Sequence, residues 1–382
     1  MVKIVGIVVE YNPLHFGHVH HIEETRKKSN ADVLIAVMSS HVVQRGEFSI
    51  VDKFKRTQWA LNAGIDLVIE LPGVFVLQSA DLFAQTSVEL LHHLGVEEIY
   101  FGSETGQVEE LEMIALLMES KTYQDHLKKF LSEGKSYPSS SHLALSMVTD
   151  SEAYQKPNNI LGIQYIKAIH HLKSKMKPCA IERVGSGYYD DFFEERKIQS
   201  ATAIRKRHKT QGQIKSYVPS DVYLDLLSVK PIDLEHFYDY LQYRLASMNP
   251  KELKQIFGFE EGLENRFLQV EYFESIDDLI QQVISGRYTH AKIKRNIMHL
   301  LIGTKKSQLK VFNVPYIRVL GMNQNGQRYL SKIKHELTLP LITKIKGKRH
   351  YVLDMELRIT KIYDLVYKRD LLKKEFEPVI IL

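Results

Sequence analysis

The sequence predicts an α/β protein, with a parallel sheet in its N-terminal half and a mainly helical, basic C-terminal half. Three observations carry that expectation. Before residue 105, four short apolar runs alternate with helical patterns, the signature of a parallel sheet with helices on both faces. From about Tyr217 the pattern changes to amphipathic helices punctuated by Pro219, Pro231 and Pro250. Between Arg287 and His350 there are 15 Lys or Arg residues and 1 acid, Glu336.

The first strand runs from Val2 to Val9, where Val2, Ile4, Val5, Ile7, Val8 and Val9 form a β-branched run. Glu10, Tyr11, Asn12 and Pro13 make a turn, and Pro13 stops the strand. A helical pattern opens at His15-Phe16-Gly17-His18 and continues through His21, Ile22 and Thr25 to Ser29. Ala31 to Met38 reads as the second strand. Ser39 to Ser49 reads as a loop carrying Gln44-Arg45-Gly46-Glu47, at the same end of the sheet as the Asn12–His18 turn. Asp52 to Ala63 is a helix bearing Lys53, Lys55 and Arg56. Asp66 to Leu71 is the third strand, stopped by Pro72-Gly73. Ala80 to Leu94 is a helix, and Glu97 to Phe101 a fourth strand ending at Gly102-Ser103-Glu104.

Residues 107–172 are mainly helical, broken near Gly134 and Pro138. Pro157-Asn158-Asn159 introduces a helix from Ile160 to His171, with the two asparagines either capping it or serving a site. Pro178 to Val184 is the last strand of this half, followed by Gly185-Ser186-Gly187-Tyr188. Ser200-Ala201-Thr202-Ala203-Ile204-Arg205 starts a helix that Ser200 or Thr202 can cap. Helices then cover Asp221 to Ser247, Lys251 to Phe257, Asp277 to Ser285 and His290 to Leu301. Tyr316 to Leu320 is a strand, and Asn323 to Gly326 a turn. The expected division lies near 215, with a nucleotide-binding catalytic domain over 1–215 and a mainly α domain over 216–382.

The strand–turn–helix corner at Val2–Ser29 has the geometry that binds phosphate. The first amides of a helix have no partner inside it and carry partial positive charge. Gly17 leaves room for a close-lying ligand, and His15 and His18, one turn apart, can donate to phosphoryl oxygens. His20 and His21 are expected on the helix surface or facing RNA. The histidines match neither zinc-finger nor metalloprotease spacing and have no cysteine nearby, so no metal site is expected. Neither the glycine pattern of a dinucleotide site nor the Gly-Lys-Ser/Thr of a P-loop follows the first strand. Imidazoles, helix amides and arginines suit in-line displacement at an α-phosphate, which needs positioning and charge stabilisation but no covalent enzyme nucleophile. Arg205, Lys206 and Arg207 can stabilise departing pyrophosphate, or simply form a basic helix end.

At 382 residues, with 44% hydrophobic and 25% charged, the chain is long enough for a sizeable core. Its single cysteine, Cys179, excludes a disulfide framework and fits a reducing cytoplasm; in a strand beside Ala180 and Ile181 it reads as a structural thiol. No signal peptide and no run long enough to span a bilayer are apparent, so a cytoplasmic protein is expected. The net charge of +5 is segregated, since outside Arg287–His350 the chain carries 36 basic and 45 acidic residues, net −9. Such segregation suits a polyanionic partner.

Ordered stretches carry a resemblance. His15-x-x-His18 after an N-terminal strand resembles the (H/T)xGH signature of the "HIGH" nucleotidyltransferase-like α/β superfamily. More closely, Gly6-Ile-Val-Val-Glu-Tyr-Asn-Pro-Leu-His-Phe-Gly-His18 resembles the start of the bacterial tRNA(Met) cytidine acetate ligase (TmcAL) family. Gln44–Glu47, Asp66–Pro72, Phe101–Glu104, Pro157–Leu161, Ser200–Arg205 and Ile317–Gly321 agree with that family in order. The chain departs from it at Ser39, Ser40, His41, Val42 and Val43, where the family reads Ser-Gly-Asn-Phe after Met, and at Phe48, where proline is usual.

The resemblance implies a Rossmann-like sheet and a two-step ATP-dependent ligase. Acetate would attack the ATP α-phosphate, and the acetyl group would then pass to N4 of the wobble cytidine of elongator tRNA(Met). It implies His15 and His18 as catalytic residues. Ile7, Val8, Val9, Glu10, Tyr11, Asn12, Pro13, Leu14, Phe16, Gly17, Val19 and His20 would line the ATP, with Mg²⁺ as its counter-ion. Gly102, Asn158, Asn159 and Arg183 would complete the adenosine and phosphate contacts, and Ser200, Thr202 and Arg205 would support the β and γ phosphates. The partners implied are acetate and the tRNA, held by the basic region in a salt-dependent way, with neither a membrane nor DNA. A nucleotidyltransferase acting on a small phosphorylated metabolite is the alternative; it shares the corner but leaves the basic region unexplained.

Overall fold

Ile4–Val9 form β1, the strand around which the sheet is built. The computed structural model describes residues 2–183, 198–229 and 231–382. After β1 come α1 (Phe16–Ser29), β2 (Val33–Ser39), the antiparallel pair β3 (Val42–Val43) and β4 (Glu47–Phe48), α2 (Lys53–Asn62) and β5 (Leu67–Leu71). Then follow α3 (Gly73–Val76), α4 (Ala80–His93), β6 (Glu98–Ser103), α5 (Val108–Glu119), α6 (Lys121–Ser132), α7 (Tyr137–Ser146), α8 (Pro157–His171), β7 (Lys177–Glu182) and α9 (Ala201–Lys209). The second half contributes α10 (Ser220–Ser228), α11 (Tyr238–Ser247), α12 (Pro250–Gln255), α13 (Leu263–Leu268), α14 (Ile276–Val283) and α15 (His290–Ile302). It closes with β8 (Ile317–Met322), α16 (Gln324–Ile333), β9 (Leu341–Ile342), α17 (Tyr351–Tyr367), α18 (Leu371–Lys374) and β10 (Ile380–Ile381).

The strands lie in the order β10-β8-β5-β2-β1-β6-β7, with β9 beside β8, and every pair in this sheet is parallel except β5 with β8. The chain leaves β1 for β2 and β5 on one side and returns to β6 and β7 on the other. The carboxyl ends of β1 and β6 therefore flank the crevice of a topological switch point, where open α/β sheets gather ligand residues.

Alternation within the strands divides two cores. One face buries Ile4, Ile35, Val37, Leu67 and Ile69 against Leu90 and Leu91 of α4. The other buries Val5, Ile7, Leu34, Ala36 and Val68 against Ile22 of α1, Trp59 of α2 and Ile204 of α9. Gly6 permits the first contact, because a Cβ there would meet Leu91 Cδ2 at 2.7 Å.

Several expectations are corrected. Ser39–Ser49 is not a plain loop but contains the β3–β4 pair. The family-departing residues pack inward there: His41 stacks on Tyr363 with centroids 4.8 Å apart, and Phe48 on Phe237 at 4.3 Å. α8 begins at Pro157, three residues earlier than read, because proline is favoured in a first turn. The break read near Gly134 and Pro138 falls between α6 and α7, with Pro138 in the first turn of α7. Asn323 does not open a turn; its side chain accepts from Gly326 N at 3.1 Å and caps α16. From beyond residue 215, β8 and β10 complete the sheet that the N-terminal strands begin. Val184 and Gly185–Tyr188 lie outside the described residues.

A buried ionic network joins these distant segments. Lys53 of α2, fully buried, reaches Glu70 of β5, Glu356 of α17 at 3.1 Å and Glu375 at 2.9 Å. Arg318 of β8 bonds Glu70 Oε2 at 3.0 Å and Glu375. Arg56, also fully buried, donates to Glu10 O at 2.6 Å, Ser39 O at 3.2 Å, Ser40 O and Val51 O, stapling the carboxyl ends of β1 and β2.

Gly46 has φ +82°, and a Cβ there would lie 2.5 Å from the backbone N of Arg295 in α15. Gly46→Ala should therefore cost about 2 kcal/mol or more, combining left-handed strain with overpacking against backbone. A urea denaturation midpoint equal to that of the unsubstituted chain would refute this.

Candidate nucleotide site

At the switch point lies a cavity of about 600 Å³, within the range of small-ligand sites. Its lining comes from the end of β1 (Val8, Val9, Glu10, Tyr11), from α1 (Gly17, His18, His20, His21) and its cap His15, from the end of β6 (Phe101, Gly102, Glu104), from α8 (Asn158, Leu161, Tyr165), from β7 (Ile181, Glu182, Arg183) and from Ile198–Ser200.

The histidines cap their own helix. His15 is the N-cap, in extended conformation, and its Nδ1 accepts Gly17 N at 3.1 Å. His18 Nδ1 in turn accepts His15 N at 3.3 Å. The rings stack with centroids 3.7 Å apart, and Tyr11 packs edge-on to His18 at 5.1 Å. With each Nδ1 accepting from backbone, each ring in its neutral form carries its proton on Nε2, so both are Nε2–H donors.

Both rings are neutral at pH 7. Burial, reinforced by Arg183 and Arg205, pushes His15 down to about 3. Burial with His15 and Arg183 lowers His18, and burial with Arg183 brings His21 to about 4. Such rings are protonated in the unfolded chain below about pH 6.5 but not in the folded one, so they subtract stability as pH falls below that point. In the unliganded protein His15 and His18 should keep the NMR shifts of neutral imidazole from pH 8 down to pH 5; a midpoint near 6.5 for either ring would contradict the cap geometry.

Opposite the histidines, Arg183 leans across Gly102, where a Cβ would meet its Cγ at 3.2 Å. Glu10 is half-buried, desolvation raises its pKa, and its Oε1 accepts Gln44 N at 2.7 Å, tying the β3–β4 pair to the cavity. Ser200 caps α9 by accepting Ala203 N at 3.2 Å.

Of the residues singled out in the sequence, His15, His18, Val8, Val9, Glu10, Tyr11, Gly17, His20, Gly102, Asn158, Arg183 and Ser200 share this cavity. His20 and His21 thus face the cavity as well as flanking it. Ile7 and Leu14 are core residues. Asn12 is buried, accepting Ile50 N at 2.9 Å through Oδ1 and Arg205 Nη1 at 2.7 Å through its backbone oxygen. Pro13, Phe16 and Val19 lie outside the lining. Asn159 is fully buried behind it, and Thr202 and Arg205 line an adjoining hollow with Phe48, Ile50 and Leu226. Neither asparagine caps α8. That cap is Glu104, whose Oε1 accepts Asn158 N at 3.1 Å and whose Oε2 accepts Asn159 N at 2.9 Å.

The sequence reading missed His21, Phe101, Glu104, Leu161, Tyr165, Ile181, Glu182, Ile198 and Gln199 as lining. Asn158, Leu161 and Tyr165 follow helical spacing, so starting α8 at Pro157 reveals two of them. Glu104 carried no local signal, because its partners lie 54 and 55 residues away.

The basic stretch is less uniform than its composition suggests. Arg318 is buried in the ionic network, and Lys294 pairs with Glu47 at 2.6 Å. Arg328 and Lys332 on α16, Lys334 at its end, and Lys344, Lys346, Lys348 and Arg349 after β9, are exposed. Tyr329 is buried, donating to Leu94 O at 2.6 Å, whereas Tyr351 is exposed. Cys179 is half-buried in β7, and burial pushes its thiol up.

A nucleotide-sized crevice at the switch point, edged by a histidine-capped helix N-terminus, defines the class of nucleotide-binding α/β transferases. A family model described as HIGH Nucleotidyl Transferase matches residues 2–377. A protein of Caldicellulosiruptor saccharolyticus called tRNA(Met) cytidine acetate ligase is 39% identical over 96% of this chain and 94% of its own. A Bacillus subtilis protein of the same name is 38% identical over 98% and 95%. Thermotoga maritima TmcAL, in a crystal structure bound with alpha-thio ATP, superposes with a TM-score of 0.89 at 29% identity, covering 100% of this chain and 99% of that one. The chain belongs to the tRNA(Met) cytidine acetate ligase family of HIGH nucleotidyl transferases. Among the described residues, no helix is long and apolar enough to cross a membrane.

Proposed function

We propose that this protein is an ATP-dependent ligase that activates acetate and acetylates N4 of the wobble cytidine of elongator tRNA(Met). The observation that carries the reading is the pair of neutral Nε2–H imidazoles at the carboxyl end of β1, facing Arg183, in a chain whose structural relative from Thermotoga maritima binds alpha-thio ATP.

In the first step an acetate oxygen attacks the α-phosphorus and the bond to the bridging oxygen breaks, giving acetyl-adenylate and pyrophosphate. His15 and His18 donate through Nε2 to phosphoryl oxygens as charge builds there, and Arg183 supplies positive charge. Neutral donors are suited to this, because they need not release a proton when the product leaves. In the second step N4 attacks the acetyl carbonyl, AMP departs, and N4 loses one proton. The target base must leave its stack to enter the cavity. Among the described residues no group of three or more His, Cys, Asp or Glu side chains is placed to hold a metal. Mg²⁺ enters as counter-ion of the triphosphate.

Thr202 and Arg205 extend the phosphate-facing side beyond the cavity, and the exposed Lys and Arg residues around α16 and after β9 hold the tRNA backbone. The 1–215 and 216–382 segments divide these tasks, and the setting is the cytoplasm. Mass spectrometry of tRNA incubated with the protein, ATP and labelled acetate tests the whole reading. Labelled N4-acetylcytidine supports it; transfer of AMP to a phosphorylated metabolite, without acetate-dependent exchange, overturns it.

A further inference from the structure

We propose that Glu104 is a positioning residue for nucleotide binding, acting through Asn158 on Arg183. This deepens the nucleotide reading of the cavity and rests on it.

A carboxylate lining a nucleotide cavity ordinarily suggests a direct contact with ligand hydroxyls. The bonds of Glu104 argue otherwise. Its Oε1 accepts Asn158 N at 3.1 Å and Asn158 Nδ2 at 2.6 Å, and its Oε2 accepts Asn159 N at 2.9 Å. The carboxylate is thus committed to the first turn of α8, where the helix dipole favours negative charge. It is itself held from behind: Asn159 Oδ1, fully buried, accepts both Glu104 N at 2.9 Å and Ser103 Oγ at 2.6 Å.

The consequence falls on Asn158. Its amide has one donating and one accepting end. With Nδ2 against the carboxylate, Oδ1 must face the other way, and there it accepts Arg183 Nη1 at 3.2 Å. The reversed amide would set oxygen against carboxylate and NH₂ against guanidinium, so the charge on Glu104 dictates which end Arg183 meets. Arg183 contributes to lowering His15, His18 and His21, which places its charge across the cavity from all three.

Calorimetric titration with ATP tests this on the full chain. Glu104→Gln replaces one accepting oxygen by NH₂ and lets the Asn158 amide turn over. It should raise Kd for ATP on the order of tenfold, the scale of one charge-assisted hydrogen bond. Arg183→Ala should do at least as much, and the double variant should bind no worse than Arg183→Ala alone. Asn158→Ala, which leaves Glu104 on the two backbone amides, should show the same loss and the same non-additivity with its thermal midpoint unchanged, and serves if Glu104→Gln folds poorly. Losses that multiply between Glu104→Gln or Asn158→Ala and Arg183→Ala would mean independent contacts and would overturn the proposal. Wild-type chain that binds no ATP would instead overturn the nucleotide reading, and the positioning role with it.

Discussion

His18→Ala should slow acetate-dependent ATP–pyrophosphate exchange at least about a hundredfold, the usual scale for one preorganised charge-stabilising donor. Two losses coincide in that substitution. The Nε2–H donor disappears from the cavity, and His15 N loses the ring nitrogen that accepts it at 3.3 Å. Without that bond and the 3.7 Å stacking partner, the His15 ring loses its fixed position. His18→Asn offers a control, since its amide can still accept from the N-cap backbone although it carries no ring. It should recover fold stability but not rate. Exchange within tenfold of wild type in His18→Ala would remove the imidazole pair from the mechanism.

Lys53→Met should destabilise the fold by about 3–5 kcal/mol, because it leaves carboxylates buried without their cation. For a chain of this length that is a drop of roughly 5 °C in Tm. Lys53 is fully buried among Glu70, Glu356 and Glu375, and Arg318 alone would remain to offset three acids. In the intact network burial raises Glu356 despite Lys53, whereas for Glu375 the effect of burial is outweighed by Lys53 and Arg318, which hold it low. Removing Lys53 raises these folded-state carboxylates relative to the unfolded chain. The folded state then binds more protons than the unfolded one above about pH 4.5, so the variant loses stability as pH rises. Urea denaturation at pH 5 and pH 8 should show a wider gap from wild type at pH 8. A gap that narrows at pH 8, or a variant as stable as wild type, would refute the account.

The legibility of the site followed the range of its interactions. His15, Gly17 and His18 were readable because a strand, a proline turn and a helix start within twenty residues put them at one corner. Arg183 and Ser200 were reached through resemblance, and the structure places both at the cavity. Ile7 and Leu14, taken as lining from their place in the same run, point into the core, because side chains alternate along a strand and turn inward past it. Glu104 and Arg56 were opaque. Glu104 is a helix cap supplied from the residue that follows β6, and Arg56 reads locally as one more basic residue on a solvated helix.

By itself the sequence determined the alternation of strands and helices, the strand–turn–helix corner, the start of α9 with Ser200 or Thr202 as its cap and the family, since each is written in short-range periodicity, turn chemistry or ordered motifs. Tertiary structure alone decided that β8 and β10 complete the N-terminal sheet, that Lys53 and Arg318 are buried among three acids from three segments, and that Asn158 points its oxygen at Arg183. Those outcomes depend on partners from 17 to 303 residues apart, which meet only when both cores close over the sheet; desolvation then turns ordinary surface charges into committed ion pairs.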